Sequence, residues 1–365
     1  MKPTKHEHRT LLLDMPISFP QAEMPKMREQ AMVILNKGEN IVNLYDETSD
    51  YPTPIQRLKG LGLVEGFSQL RWIKLSKKLI ESSMTKDNKN NIDVRALRDA
   101  IVRFGAKDFV PITSAIMESA KAINIEMFIM GDTVEVFKIV ELVSHKDFKL
   151  PALRLTWKAF TPDPYLGNSV MENAKIAHLS LTHQLYDLYM GRWLSGIDGQ
   201  GNFSTLNMRW LASRPVEQKS YFVYAGIDRI NYLVDYDATT IRSYYRLVLG
   251  ALFSCREGGT AIIRLPLPSI KAIYGLYGLI KTHFLSVRLI KQFTDLPDDD
   301  IAYVVATGFS ESSLLPSLLD KPMDVVLSSF AAVTNSFALE MRAISDSSIH
   351  DHINAVNKAW SKRVN

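Results

Sequence analysis

The sequence contains a single cysteine among its 365 residues, Cys255. One thiol cannot form an intramolecular disulfide, and it excludes zinc sites built from several cysteines. No run of 18 apolar residues is free of charged residues and proline, so we do not expect a membrane-spanning helix. The stretch Leu11–Leu13 is too short for the apolar core of a secretory signal. We therefore expect a cytoplasmic protein that folds without a disulfide.

Neither sign of charge dominates the chain. Its 43 lysines and arginines against 39 acids give a net charge of +4, which permits RNA or another polyanion as a partner without requiring one. The hydrophobic fraction of 46% excludes a disordered or fibrous chain. The pairs His178/His183 and His350/His352 lack thiol or carboxylate partners at metal-ligand spacing, so no metal site is predicted.

The length exceeds one ordinary core and predicts a main domain with additions at both ends. Turn-rich sequence and short apolar runs favour an N-terminal extension over residues 1–65. The main domain is then predicted over residues 66–310. From residue 311 onward the pattern is helical, which indicates a C-terminal extension over residues 311–365.

Short apolar strands alternate with helices through the main domain, which favours a doubly wound α/β sheet with helices on both faces. The last two strands have no helix between them and predict a terminal antiparallel hairpin. The sequence REGG (Arg256–Gly259) is interpreted as a helix stop, since glycine tolerates positive φ. The predicted strands are Ile125–Met130, Ala152–Trp157, Ile230–Ala238, Thr260–Pro268, Ser286–Phe293 and Ala302–Phe309. The predicted helices include Ser68–Ser82, Val94–Asn124, Ile176–Tyr189, Ser243–Cys255, Ile270–Phe284, Val325–Ala343 and Ile349–Arg363.

Three motifs recur in order over Tyr232–Gly308: EGGTAIIRLPLP, THFLSVRLIKQF and DDDIAYVVATGF. In this order they resemble the FtsJ-like RNA 2′-O-methyltransferase family. There the first of these strands ends in a catalytic lysine, and an acid precedes the last strand, which contains a tyrosine. The resemblance implies a Rossmann-like methyltransferase sheet, S-adenosylmethionine as cofactor and RNA as partner. Upstream, only the helix at Arg71–Leu79 is similar.

Enzymes of that family use a Lys-Asp-Lys-Glu tetrad, and the resemblance implies the equivalent position of each member. The first lysine corresponds to Lys74 and the second to Arg264. The acids correspond to Asp235, or Asp237 if the strand runs two residues further, and to Asp300, with Asp299 as a second option.

The arginine matters because methyl transfer to a ribose 2′-OH requires alignment and removal of the hydroxyl proton. A lysine acts as the base only when its neighbours yield a neutral amine, whereas a guanidinium stays protonated. Arg264 is therefore expected to hold ribose or phosphate rather than to take a proton. Lys271 and Lys281 are candidates for a replacement base.

The cofactor loop is predicted after the strand Ile125–Met130. The resemblance places a glycine-rich turn there, and this chain supplies only Gly131, followed by Asp132, whose carboxylate suits a ribose hydroxyl or an amino group. Asp237 is the third candidate cofactor contact, although an acid at that point also commonly caps the next helix. Trp157 and Asp163 are further candidates beside the adenine.

The helix Ser68–Ser82 carries Arg71, Lys74 and Lys78 on one face, where Arg71 and Lys78 are candidate RNA contacts or an ordinary solvated surface. Two functions from different classes remain. One is an active RNA 2′-O-methyltransferase, of the viral cap-modifying kind. The other is a catalytically silent methyltransferase fold that binds RNA or assembles a complex, with the C-terminal helices as a partner surface.

Overall fold

The computed structural model describes residues 15–17, 23–38, 43–45, 122–130, 154–160, 189–194, 206–227, 237–266, 270–290 and 301–333. Over these residues it contains seven strands, six α-helices and two short 3-10 helices. The strands are β1 (Met15–Ile17), β2 (Ala122–Met130), β3 (Arg154–Phe160), β4 (Ser220–Ile227), β5 (Cys255–Pro266), β6 (Phe284–Ile290) and β7 (Ile301–Phe309). The α-helices are α1 (Glu23–Lys37), α2 (Met208–Ala212), α3 (Ala238–Ser254), α4 (Lys271–Lys281), α5 (Leu314–Ser317) and α6 (Met323–Ala332). The 3-10 helices are Val216–Gln218 and Leu318–Asp320.

The strands form one sheet in the order β1-β6-β7-β5-β4-β2-β3. Strands β3, β2, β4 and β5 are parallel neighbours. Strand β7 runs antiparallel between β5 and β6, and β1 adds an antiparallel edge to β6. The predicted α/β class and the terminal antiparallel hairpin are confirmed.

Both faces of the central strand β5 are covered. Ala261, Ile263 and Leu265 point to the face on which the helices pack, and Ile262, between them, is 1% exposed on the other face. Burial on both faces explains why this segment is a continuous apolar run and does not alternate with polar residues.

Helices α3 and α4 pack against one another on that face of the sheet, α6 packs on α4, and α1 packs on α6. The crossing of α4 and α6 depends on Gly275, where an added Cβ would lie 2.4 Å from the backbone oxygen of Leu327. At the start of α4, where Ile270 provides no side-chain cap, the Leu44 carbonyl accepts a hydrogen bond from Ala272 N–H at 2.9 Å. The N-terminal segment thus contributes one strand, one helix and one helix cap to the main body.

The strand beside β5 differs from the prediction. The sequence placed a strand at Ile230–Ala238, whereas the parallel neighbour of β5 is β4, Ser220–Ile227, and helix α3 already begins at Ala238. Strand β4 carries three aromatic residues, Tyr221, Phe222 and Tyr224, and the sequence pattern did not identify it as a strand. The predicted helix Val94–Asn124 also ran too far, because residues 122–124 belong to β2.

The REGG sequence does not end a helix. Helix α3 ends at Ser254, and Cys255 already has extended backbone. Between Ser220 and Phe222 strand β4 advances two residues, while β5 advances five from Cys255 to Thr260. Gly258, with φ of +75°, and Gly259, where a Cβ would lie 2.7 Å from the Arg256 carbonyl oxygen, accommodate that irregularity. The positive φ expected for this sequence is therefore found at Gly258, but within strand β5 and not at the end of a helix.

A buried ion pair ties the loop before β4 to the sheet. Arg214 donates to both carboxylate oxygens of Glu126 on β2, at 2.7 and 3.1 Å, and to the Ser254 hydroxyl at 2.6 Å. The side chains of Arg214 and Glu126 are only 7% and 3% exposed. A second arginine from the same region, Arg209, pairs with Asp320 at 2.7 Å, with side chains 73% and 66% exposed.

The shortest N···O distance is 2.7 Å in both pairs, but only the Arg214–Glu126 pair is buried. We expect Arg214→Met to destabilise the fold by about 3 kcal/mol or more, because it leaves the Glu126 carboxylate buried without its counter-charge. Arg209→Met serves as the control and is expected to cost less than about 1 kcal/mol, since its pair is solvated. Urea unfolding of both variants measures this, and equal losses would contradict it.

Candidate functional site

The sheet order identifies one edge for ligand binding. From β2 the chain connects outward to β3 and then returns to β4 on the other side of β2. In open α/β sheets, ligands bind beyond the carboxyl ends of the strands at the point where the connections diverge in this way. The candidate site therefore lies at the carboxyl ends of β2 and β4, next to the end of β5.

At this crevice the chain supplies glycine and acids. Gly131 and Asp132 follow β2 directly in the sequence, and Asp228 follows β4 directly. All three lie outside the described residues. Asp228 was not considered from the sequence, because the strand was placed ten residues later than β4; the aromatic and β-branched residues of 220–227 were the signal that could have located that strand.

The structure places Arg264 near the carboxyl end of β5, the middle strand of the seven. Its direct partner on β7 is Tyr303, and the guanidinium carbon lies 5.8 Å from the centre of that ring. Tyr303 is 5% exposed and Arg264 is half-buried. Alternation along β5 directs Arg264 away from the face on which α3 and α4 pack. A fixed positive charge thus lies beside the crevice.

Two further tyrosines surround this end of β5. Burial raises the pKa of Tyr244 on α3 to about 12, and the positive charge of Arg264 opposes that shift. The Tyr277 hydroxyl donates to the Pro266 carbonyl at 3.1 Å and fixes the end of the strand. Since burial keeps these phenols protonated at physiological pH, neither is a base, and both belong to the core beneath α3 and α4.

Asp237, predicted to contact the cofactor, is the N-cap of α3. Its carboxylate accepts a hydrogen bond from Thr240 N–H at 2.7 Å, and this bond lowers the pKa of the carboxyl group. The capping alternative recognised in the sequence is therefore realised. The side chain is exposed, and the cofactor role remains a prediction.

The other residues predicted for the site lie outside the described residues. These are Arg71, Lys74, Lys78, Gly131, Asp132, Asp235, Asp299 and Asp300. Asp300 immediately precedes β7, whose first residue, Ile301, pairs with Pro266 at the carboxyl edge. Their roles stay predictions.

The two candidate replacement bases occupy opposite ends of α4. Lys271 opens the helix at the carboxyl edge, with its ammonium 5.9 Å from the Tyr274 ring centre. Lys281 is buried near the other end, about 15 Å along the helix axis. Lys271 therefore shares the edge with Arg264, and Lys281 does not.

The titratable groups His283 and Cys255 also lie at the amino edge. Burial lowers the pKa of His283 to about 4, and its Nδ1 lies 2.8 Å from the Leu279 carbonyl oxygen. Burial raises the pKa of the Cys255 thiol. Both side chains are fully buried in the core.

Within the described ranges, no group of three or more His, Cys, Asp or Glu side chains is arranged to hold a metal ion. None of the helices in that part of the chain has the length and apolar character needed to cross a bilayer.

No protein-family model and no curated protein sequence matches the chain. Among solved structures, an O-methyltransferase family protein from Burkholderia thailandensis is similar, with 14% identity, 71% of this chain and 72% of that chain covered, and a TM-score of 0.29. The CMeT domain of the citrinin polyketide synthase is similar with 9% identity, 79% and 90% coverage, and a TM-score of 0.29. Such scores are too low to establish a shared fold, so the fold assignment depends on the strand order and directions.

Substitution of Asp237 tests its role as the N-cap of α3. Because the folded-state pKa of this carboxyl is lowered, its stabilising contribution is present above about pH 4 and is lost as the pH falls through the folded-state pKa. We expect Asp237→Ala to lower the melting temperature at pH 7 and Asp237→Asn to retain most of it, since asparagine also caps. Thermal melts from pH 3 to 7 measure this. A melting temperature that Asp237→Ala leaves unchanged would contradict the capping role.

Proposed function

We propose that the chain is an S-adenosylmethionine-dependent methyltransferase-type protein that acts on the 2′-hydroxyl of RNA. The single observation that carries the proposal is Arg264 at the carboxyl end of the central strand β5, beside the switch point, with β7 antiparallel between β5 and β6. This is the position at which the resembled family places a catalytic lysine.

The chemistry of the residues around the switch point suits the cofactor. Phe128 and Phe160, near the ends of β2 and β3, stack on one another at 5.2 Å and are fully buried in the core, so they do not form the ligand surface. Contacts would come from Gly131, which permits close backbone approach, and from Asp132, which accepts hydrogen bonds. When bound, S-adenosylmethionine supplies an electrophilic methyl group.

The substrate side follows from the charge of Arg264. A protonated guanidinium holds a phosphate or a ribose oxygen and does not remove a proton. Lys271 is the one replacement candidate at the same edge, and its role as base is part of this proposal. The strand-end acid of the tetrad is reassigned to Asp228, because β4 and not Ile230–Ala238 is the strand beside β5.

A second candidate function is favoured by the same arginine. If no neutral amine reaches the 2′-hydroxyl, the sheet acts as a silent RNA-binding or assembly subunit. In that case Arg264 keeps its phosphate contact and the chain contributes no methyl transfer.

Cofactor binding is the first test. We expect S-adenosylmethionine to raise the melting temperature of the full chain and to give measurable heat by isothermal titration, because the crevice at β2 and β4 is its predicted site. Absence of both signals at millimolar ligand would favour the silent subunit.

Arg264→Lys tests the missing base. A lysine at this position can lose its proton beside buried tyrosines, so we expect transfer of labelled methyl to RNA to rise by about tenfold or more over wild type. Arg264→Met is the control, since it removes both the charge and any base. No gain in an Arg264→Lys variant that binds the cofactor normally would show that position 264 does not limit catalysis.

The reassigned acid has its own test. We expect Asp228→Asn to lower methyl transfer by about tenfold or more, since an acid at the end of β4 would orient the groups around the 2′-hydroxyl. Asp235→Asn, from the position first predicted, is the matched control and is expected to retain activity. The assay uses whichever of wild type and Arg264→Lys is more active. The reverse pattern would overturn the reassignment.

A further inference from the structure

The Arg264–Tyr303 pair has properties that suit an anion site more than a packing contact. The two residues are direct partners across β5 and β7, with the guanidinium carbon 5.8 Å from the ring centre. That distance lies within the range in which the negative face of an aromatic ring attracts a cation. The β5–β7 register therefore places the Tyr303 ring beside Arg264, and the ring in turn orients the Arg264 guanidinium.

Burial sets the energetics of the pair. Tyr303 is 5% exposed, so its ring is held by the core and cannot move away. Arg264 is half-buried, which leaves part of its side chain accessible. A partly desolvated cation that is already oriented loses little freedom when an anion binds.

Two other arginines that lie over rings in the described part of the chain are placed differently. Arg214, over Trp210, is neutralised by Glu126. Arg256 lies 4.6 Å from the Tyr221 ring centre, at the amino edge of the same sheet. That second Arg–Tyr pair is a matched control, because it has a shorter distance and lies at the wrong edge for a ligand.

We propose that Tyr303 is a positioning residue that holds the Arg264 guanidinium as a preorganised clamp for a phosphate of the RNA backbone. The proposal rests on the proposed function for the identity of the ligand. Tyr303 acts through Arg264 and does not itself touch the RNA. A phosphate at this point sets the register of the strand relative to the crevice at β2 and β4.

The test is a double-mutant cycle on binding of a labelled single-stranded RNA oligonucleotide, followed by fluorescence anisotropy. We expect Arg264→Met and Tyr303→Leu each to weaken binding about threefold to tenfold, which is the range for an oriented cation–π pair. The double variant is expected to be no weaker than Arg264→Met alone, because the tyrosine acts through the arginine. Tyr303→Phe keeps the ring and is expected to bind like wild type, as is Tyr221→Leu.

Salt dependence supplies a readout that a purely structural role would not move. Loss of one phosphate contact to a single strand reduces the slope of log K against log salt by about 0.7. We expect that reduction for Arg264→Met and Tyr303→Leu and an unchanged slope for Tyr221→Leu. If Tyr303→Leu does not fold, pentafluorophenylalanine at position 303 keeps the ring shape, reverses its face potential and is expected to give the same loss.

The outcomes separate this proposal from the proposed function. RNA binding that is unaffected by Tyr303→Leu, or additive losses in the double variant, would overturn the clamp while leaving the RNA-directed function intact. If Tyr221→Leu weakened RNA binding as much as Tyr303→Leu, the loss would come from general destabilisation of the sheet, and the clamp proposal would be overturned. A wild-type chain that binds no RNA would refute both, whatever its affinity for S-adenosylmethionine.

Discussion

The register between β5 and β7 is the constraint on which the candidate site depends. Strand β7 enters antiparallel between β5 and β6, so its first residues meet the last residues of β5 at the carboxyl edge. The register of β7 against β5 is then fixed by side-chain alternation, because a shift by one residue would move every side chain of the strand to the opposite face. With Val304 and Ala306 committed to the face that α3 and α4 cover, Tyr303 must lie opposite them, beside Arg264.

Charge is distributed unequally between the two ends of the sheet. Toward the amino edge, Lys219 pairs with Glu311 at 2.5 Å, and the Glu257 carboxylate accepts a hydrogen bond from Glu311 N–H at 2.6 Å. These groups satisfy one another and hold the ends of strands together. At the carboxyl edge the cations Arg264 and Lys271 are placed over aromatic rings. An aromatic ring orients a cation, and Arg256 over Tyr221 is the corresponding pair at the amino edge.

The sequence was sufficient for elements that differ sharply from their surroundings. The predicted strands overlap β2, β5, β6 and β7. For β5 and β7 the reason is burial on both faces, which leaves a continuous apolar signal. Strand β4 was missed, since its aromatic residues fit a core role in any element and a second apolar segment follows it at residues 230–234. The strand prediction is the reason that Asp235, and not Asp228, was the acid considered from the sequence. The position of Arg264 needed only the correct end of β5, so it was found.

An arginine at the end of β5 has different consequences for phosphate binding and for proton removal. Lysine and arginine both neutralise phosphate, but only lysine can become a neutral base within reach of physiological pH. The buried tyrosines near this position lower the local polarity, which would favour a neutral amine if one were there, since desolvation disfavours a charged lysine. The pKa of an arginine is so high that the same desolvation leaves it protonated. The surroundings of β5 are thus compatible with a basic amine, whereas an arginine there can bind an anion but cannot accept a proton. An active enzyme therefore requires its proton acceptor from another element at the carboxyl edge.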